Sequence, residues 1–217
     1  MSMFGPSRSR MKIVIATRNS HKAAELKRLL APLSEGIVSL DDLDPQGEIS
    51  EVEETGTTLE ENAFLKARAI FRATGLAALS DDTGLEVGAL GGAPGVYSAR
   101  YAGENCNYED NINKLLEKMI SVPLNRRKAY FKTVAAFVDG EVELSAKGDV
   151  EGVITEKPEG FGGFGYDPVF SVENMKKTYA QLSEEEKNRI SHRGKAVRKL
   201  VEKLRQNGKI AEPLPNI

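Results

Sequence analysis

The chain has 217 residues, with 30 basic side chains against 32 acidic ones, a net charge of −2 and 40% hydrophobic content. This fits a soluble globular protein of one large domain or two small lobes, and the near-zero charge excludes a global footprint for nucleic acid or an anionic membrane. Cys106 is the only cysteine, so there is no disulfide framework and no Cys-based zinc site, and no apolar run approaches the roughly 18 residues needed to span a bilayer.

Residues 1–10 lack an apolar h-region and read as a disordered extension or tag remnant, with Met11 as the start of the fold. Lys12-Ile13-Val14-Ile15-Ala16 is a nearly continuous apolar run, as expected of a strand covered on both faces. The polar segment Thr17-Arg18-Asn19-Ser20-His21-Lys22 then leads into an amphipathic helix carrying Ala23, Leu26, Leu29 and Leu30, stopped by Pro32. The free N–H groups of such a helix start form an anion site, and Lys22 adds a full charge. An ordinary N-cap at Asn19 or Ser20 explains the same residues, and the two readings are compatible. Residues 34–53 are acidic and irregular, as on a solvated face. Glu54-Thr55-Gly56 precedes a helix whose start is marked by the capping-box pair Thr58 and Glu61 and whose end is marked by Gly75.

Ala77-Ala78-Leu79-Ser80-Asp81-Asp82-Thr83-Gly84 reads as a buried strand that delivers two carboxylates to the rim of a sheet, where the chain turns out. Alternation sends Asp81 and Asp82 to opposite faces, so they have separate jobs. Such a pair is either an Asp-rich surface turn or a site that must be met by a cation or by hydrogen-bond donors. Residues 88–100 form a Gly- and Pro-containing loop, and a third helix runs from Tyr108 to Met119. Asp139-Gly140 between two apolar runs predicts a hairpin, hence a mixed sheet, followed by a further short strand at 152–155.

Gly160-Phe161-Gly162-Gly163-Phe164-Gly165-Tyr166-Asp167-Pro168 combines close backbone approach with flat aromatic faces suited to stacking on a base. Ser183 and Glu186 cap a short helix containing Lys187, and Ser191-His192-Arg193-Gly194-Lys195 opens the last one. Positive charge at a helix start is unfavourable unless an anion or polar ligand meets it. With only His21 and His192 present, a multi-histidine metal centre is excluded. Any metal is a hard, oxygen-liganded ion, with Mg²⁺ favoured over Mn²⁺.

Six segments occur in a fixed order: Thr17-x-Asn19-x-x-Lys22, Glu54-Thr55-Gly56, Asp81-Asp82-Thr83-Gly84-Leu85, residues 91–100, residues 162–168 and Ser191-His192-Arg193-Gly194. On these motifs the chain resembles the inosine triphosphate pyrophosphatase family over about residues 11–206, with 207–217 as a tail. The resemblance implies an α/β fold: an elongated mixed β-sheet with flanking helices and two lobes around a central nucleotide-binding cleft. It further implies an Mg²⁺-dependent homodimer that hydrolyses ITP, dITP and XTP to the monophosphate and pyrophosphate. The lone cysteine suits a cytoplasmic setting, and the near-zero charge and lack of an apolar span predict no nucleic-acid or membrane partner. By the same resemblance Asp82 is the catalytic base and a metal ligand, Glu54 is the second metal ligand, and Thr83 touches substrate. Thr17, Arg18, Asn19, Ser20, His21 and Lys22 correspond to the triphosphate loop, with Arg18 where the family usually has Gly. Phe164, Gly165, Tyr166 and Asp167 correspond to the base-binding segment, and Lys187, His192 and Arg193 to the remaining nucleotide contacts. A Maf-like nucleotide pyrophosphatase acting on modified pyrimidines is the alternative enzyme class. The missing Ser-x-Ser-Pro-Arg-Arg sequence after the first strand counts against it.

Overall fold

A seven-stranded mixed sheet organises the computed structural model, which describes residues 11–33, 36–173 and 175–210. The expected extension at 1–10 and most of the expected tail, from 211 on, lie outside the described residues. Strand β1 (Ile13–Ile15) pairs in parallel with β2 (Ile37–Ser39) on one side and with the start of β3 (Ala77–Val87) on the other. The two-residue β4 (Pro94–Gly95) crosses the far end of β3. Beyond β3 the sheet continues antiparallel through β5 (Lys128–Val138), β6 (Glu143–Ile154) and β7 (Phe170–Val172). Both faces are covered by helices, which is why β1 and the start of β3 are continuously apolar. This is the α/β mixed sheet with flanking helices that the sequence predicts.

Local signals place the helices. Asn19 caps α1 (Ser20–Leu30), its side chain accepting the Lys22 N–H. Ser39 caps the short α2 (Leu40–Leu43), so residues 37–43 form a strand and a helical turn where the sequence predicts irregular chain. The capping box of Thr58 and Glu61 opens α3 (Leu59–Thr74), and Gly75 closes it in the left-handed conformation at φ 67°. A second box, Asn107 with Asp110, opens α4 (Tyr108–Met119). The last two helices are α5 (Glu184–Ile190), boxed by Ser183 and Glu186, and α6 (His192–Gln206), capped by Ser191.

The sheet sorts its side chains by parity. Ile13, Ile15, Leu79, Ala135 and Phe137 face α1 and α6 with Leu26, Leu30, Val197 and Leu200. Val14, Ala78 and Val138 face the other way, toward Ala67 and Ile70 of α3. Leu85, Val87, Phe131 and Val150 form a further core with Ile112 and Leu115 of α4.

Two sequence expectations change. β3 does not turn out at the acidic pair: Asp81 lies opposite Ala135 and Asp82 opposite Val134, and pairing continues to Val87. The acids stand mid-sheet because β5 is long enough to keep the ladder closed past them. Gly84 permits this, since a Cβ there would lie 2.6 Å from the Gly95 carbonyl oxygen of the crossing β4 strand. Residues 152–154 likewise belong to β6, and are not a separate strand. No helix among the described residues is long and apolar enough to cross a membrane.

Candidate active site

The parity that sorts the core also divides the two aspartates. Asp82 shares the face of Ala78, so it meets α3. Its Oδ1 accepts from Lys66 Nζ at 3.2 Å and its Oδ2 from Asn62 Nδ2 at 3.3 Å. Lys66 also donates to Glu54 Oε1 at 2.5 Å, so one ammonium joins two carboxylates from distant parts of the chain. Arg100 approaches the same group, 4.0 Å from Glu54 Oε2. Burial pushes the Asp82 carboxyl above its ordinary pKa, against the pull of Lys66 and Lys22, and the neighbouring Glu54 and Asp81 charges push the same way. Glu54 goes the other way: burial would raise it, but Lys66 beside it holds it below the ordinary value.

Asp81 shares the face of Leu79 and meets α6. Arg193, 1% exposed, donates through Nε to Asp81 at 2.9 Å, through Nη1 to Glu25 at 2.5 Å and through Nη2 to the Thr83 hydroxyl at 3.1 Å. Thr83 donates to Asp81 at 3.1 Å and shares a 2.6 Å hydrogen bond with Thr133. The anion demanded by positive charge at the start of α6 is therefore supplied from within the protein. Burial would raise Asp81, yet Arg193, with Lys22 and Lys66, holds it well below the carboxylate range.

A cleft of about 600 Å³ runs along this network and is bordered by thirteen of the sixteen expected site residues, all but Ser20, His21 and Asp82. Thr17, Asn19 and Lys22 form one wall. The Thr17 hydroxyl accepts the Asn19 N–H at 3.2 Å, and Asn19 Nδ2 reaches Tyr108 Oη at 2.9 Å. Lys22 Nζ has no hydrogen-bonded acceptor among the described residues, and burial lowers its pKa. Asp81 opposes that shift, and Lys66 and Arg193 reinforce it. Glu54 and Lys66 border the cleft and Asp82, 4% exposed, lies behind them. Ser20 and His21 are exposed and do not border the cleft. His21 stacks on Phe164 with ring centroids 5.3 Å apart.

Arg18 borders the cleft, but its guanidinium is spent elsewhere. It donates to Asp41 at 3.0 Å, to the Asp44 and Ile49 carbonyls at 3.1 and 3.2 Å, and to the Asp44 carboxylate. The acidic stretch supplies its counter-charge, so Arg18 is a tie between two loops where the resemblance implies a substrate contact.

At the other end, Asp167 Oδ2 accepts from the Phe164 N–H at 2.8 Å and from Lys187 Nζ at 2.7 Å, which fixes the loop. Burial raises the Asp167 carboxyl despite the Lys187 ammonium. Gly163, at φ 72°, is required here, because a Cβ would fall 2.1 Å from Asp167 Oδ2. Gly165 borders the cleft, and the Tyr166 hydroxyl donates to the Ser98 carbonyl at 2.9 Å. His192 stacks on Phe131 with centroids 4.4 Å apart, its Nδ1 is buried without a partner, and burial holds it neutral by lowering its pKa well below the ordinary value.

The Ham1 family profile matches residues 13–203. The chain belongs to the Ham1 family. It is 52% identical over 190 residues to the dITP/XTP pyrophosphatase of Thermoanaerobacter pseudethanolicus, covering 88% of this chain and 94% of that protein. Identity to the dITP/XTP pyrophosphatase of Escherichia coli K12 is 47% over 197 residues, covering 89% and 98%. Among solved structures, the Ham1 protein of Coxiella burnetii superposes with a TM-score of 0.80 at 41% identity, covering 90% of this chain and 99% of that one. The Staphylococcus aureus Ham1 protein superposes with a TM-score of 0.78 at 42% identity, with the same coverage.

The Ham1 fold also brings in Glu25, Asn62, Lys66 and Thr133, none of which the sequence marks as a site residue, and gives a place to Arg100, the last residue of the 91–100 motif. Asn62 and Lys66 left a faint trace, since they sit four apart on a helix, beside the buried Ala63 and Ala67. Whether this site suits a divalent metal is decided by its donors. Glu54 and Asp82 are hard oxygen ligands converging on one positive group, and no cluster of three or more His, Cys, Asp or Glu side chains gathers among the described residues. Two carboxylates completed by water and substrate phosphate are a common Mg²⁺ arrangement, so this Ham1 site fits that ion.

Proposed function

We propose that this Ham1-family enzyme hydrolyses non-canonical purine nucleoside triphosphates (ITP, dITP and XTP) to the monophosphate and pyrophosphate. The observation that carries the reading is the convergence of Asp82 and Glu54 on Lys66, with Glu54, Lys66 and Lys22 bordering one cleft and Asp82 directly behind them. Lys22 and the positive end of the α1 dipole attract the polyphosphate and favour the charge that develops on the leaving pyrophosphate. Asp82, with its raised pKa and its place behind the cleft, is suited to accept the proton of the attacking water. Lys66 keeps Asp82 and Glu54 oriented, and among the described residues neither has another partner of opposite charge at hydrogen-bonding distance. Glu54 and Asp82 would hold Mg²⁺, which when bound supplies charge neutralisation at the phosphates.

At the far end, Phe164 borders the cleft and would meet the base, and Lys187 supplies a cation 4.9 Å from its ring centroid. A pocket whose donors expect a 6-oxo group leaves polar groups unpaired when adenine enters, and such mismatches reach about 10⁴-fold in rate ratio. A homodimer working in the cytoplasm completes the proposal. The test is incubation with ITP, dITP, XTP, ATP and GTP, with and without Mg²⁺, and chromatography of the products. Inosine and xanthosine monophosphates with pyrophosphate support the reading. Orthophosphate as first product, or equal turnover of ATP, overturns it, and turnover of modified pyrimidine nucleotides alone transfers the chain to the alternative class.

A further inference from the structure

Asn62 is fully buried on the first turn of α3, beside the buried Ala63. A buried amide is costly unless both its ends are paired, and both are. Its Oδ1 accepts the Gly56 N–H at 2.7 Å, which settles the orientation of the amide and turns Nδ2 toward Asp82 Oδ2, 3.3 Å away. One helical turn on, Lys66 takes the other Asp82 oxygen and reaches Glu54. The 54–56 backbone presses directly on this amide: a Cβ on Gly56 would lie 2.6 Å from Asn62 Oδ1 and 3.0 Å from its N.

The geometry points to a role for Asn62 as a positioning residue of the reaction, resting on the function proposed above. Its neutral donor fixes the rotation of the Asp82 carboxylate about its last bond, which Lys66 alone, holding one oxygen, leaves free to pivot. The opposite end of the same amide anchors Gly56, two residues after Glu54. One side chain thereby sets the distance between the two carboxylates without adding charge to the site.

Two substitutions separate these ends. Asn62→Asp keeps the acceptor for Gly56 and sets a carboxylate oxygen where the donor to Asp82 stood, whereas Asn62→Ala removes both ends without adding charge. The readouts are kcat and KM for ITP with Mg²⁺, together with Gly56 amide hydrogen exchange in the metal-free protein. Asn62→Asp is expected to lower kcat by about 10–100-fold, with KM within about threefold and Gly56 protection retained. Asn62→Ala is expected to lose Gly56 protection as well. If Asn62→Ala does not fold, Asn62→Asp carries the test alone. Wild-type turnover with Asn62→Asp within twofold in kcat, or with its whole effect in KM, overturns this role by itself. Absence of ITP turnover by the wild type overturns the functional reading and this role with it.

Discussion

Arg193 and Asp81 stand 112 residues apart in sequence and form a 2.9 Å ion pair across the α6 face of the sheet. Glu25 completes the arrangement from α1, so one buried guanidinium holds together two helices and the central strand. When Asp81 is neutralised Arg193 keeps Glu25 as its counter-charge, so the loss is that of a buried charge-assisted hydrogen bond, about 1.5–3 kcal/mol. Asp81→Asn is therefore expected to lower unfolding free energy by that amount in urea titration. A change under about 0.5 kcal/mol, typical of surface substitutions, would contradict this account.

Asp82, on the opposite face, is expected to matter to chemistry more than to folding. Asp82→Asn should reduce kcat by about 10²–10⁴-fold while leaving the far-UV spectrum and the unfolding midpoint close to wild type. Near-wild-type turnover would remove Asp82 from the proposed role of proton acceptor.

Arg18 and Lys22 lie four residues apart yet do different work. Lys22→Ala is expected to raise KM for ITP by about ten- to a hundredfold, the range for losing a charge-assisted hydrogen bond. Arg18→Ala should leave KM within about threefold. Instead it should speed amide exchange through residues 44–49, where Asp44 accepts the Glu48 and Ile49 N–H groups. A KM rise for Arg18→Ala equal to that for Lys22→Ala would return Arg18 to the phosphates.

His192 makes stability depend on acid. Burial lowers its pKa in the folded protein, while the unfolded chain keeps the ordinary value near 6.5. Below that value the unfolded state binds a proton that the folded state refuses, so stability falls as pH falls. The loss should approach about 1.4 kcal/mol per pH unit until the folded-state pKa is reached. Urea titrations at two pH values below 6.5 should show a steeper loss for wild type than for His192→Gln. Parallel slopes would mean that His192 titrates normally in the fold.

Much of the architecture is readable locally. The caps at Asn19, Thr58, Ser183 and Ser191 depend on residues within one helical turn, and the β5–β6 hairpin depends on the four-residue turn 139–142, where Asp139 accepts the Glu141 and Val142 N–H groups. Alternation likewise assigns Asp81 and Asp82 to opposite faces without any knowledge of what covers them.

What covers them was settled only when the chain closed. Whether β3 turns at Asp82 depends on the length of β5, and whether Arg18 meets phosphate or carboxylate depends on where residues 41–49 fold. The choice of Asn62 and Lys66 as the partners of Asp82 depends on the side from which α3 packs. Caps, turns and strand alternation follow from short-range sterics and hydrogen bonds, which the sequence states in neighbouring letters. The pairing of buried charges follows from which elements exclude water together, and that is a property of the folded whole.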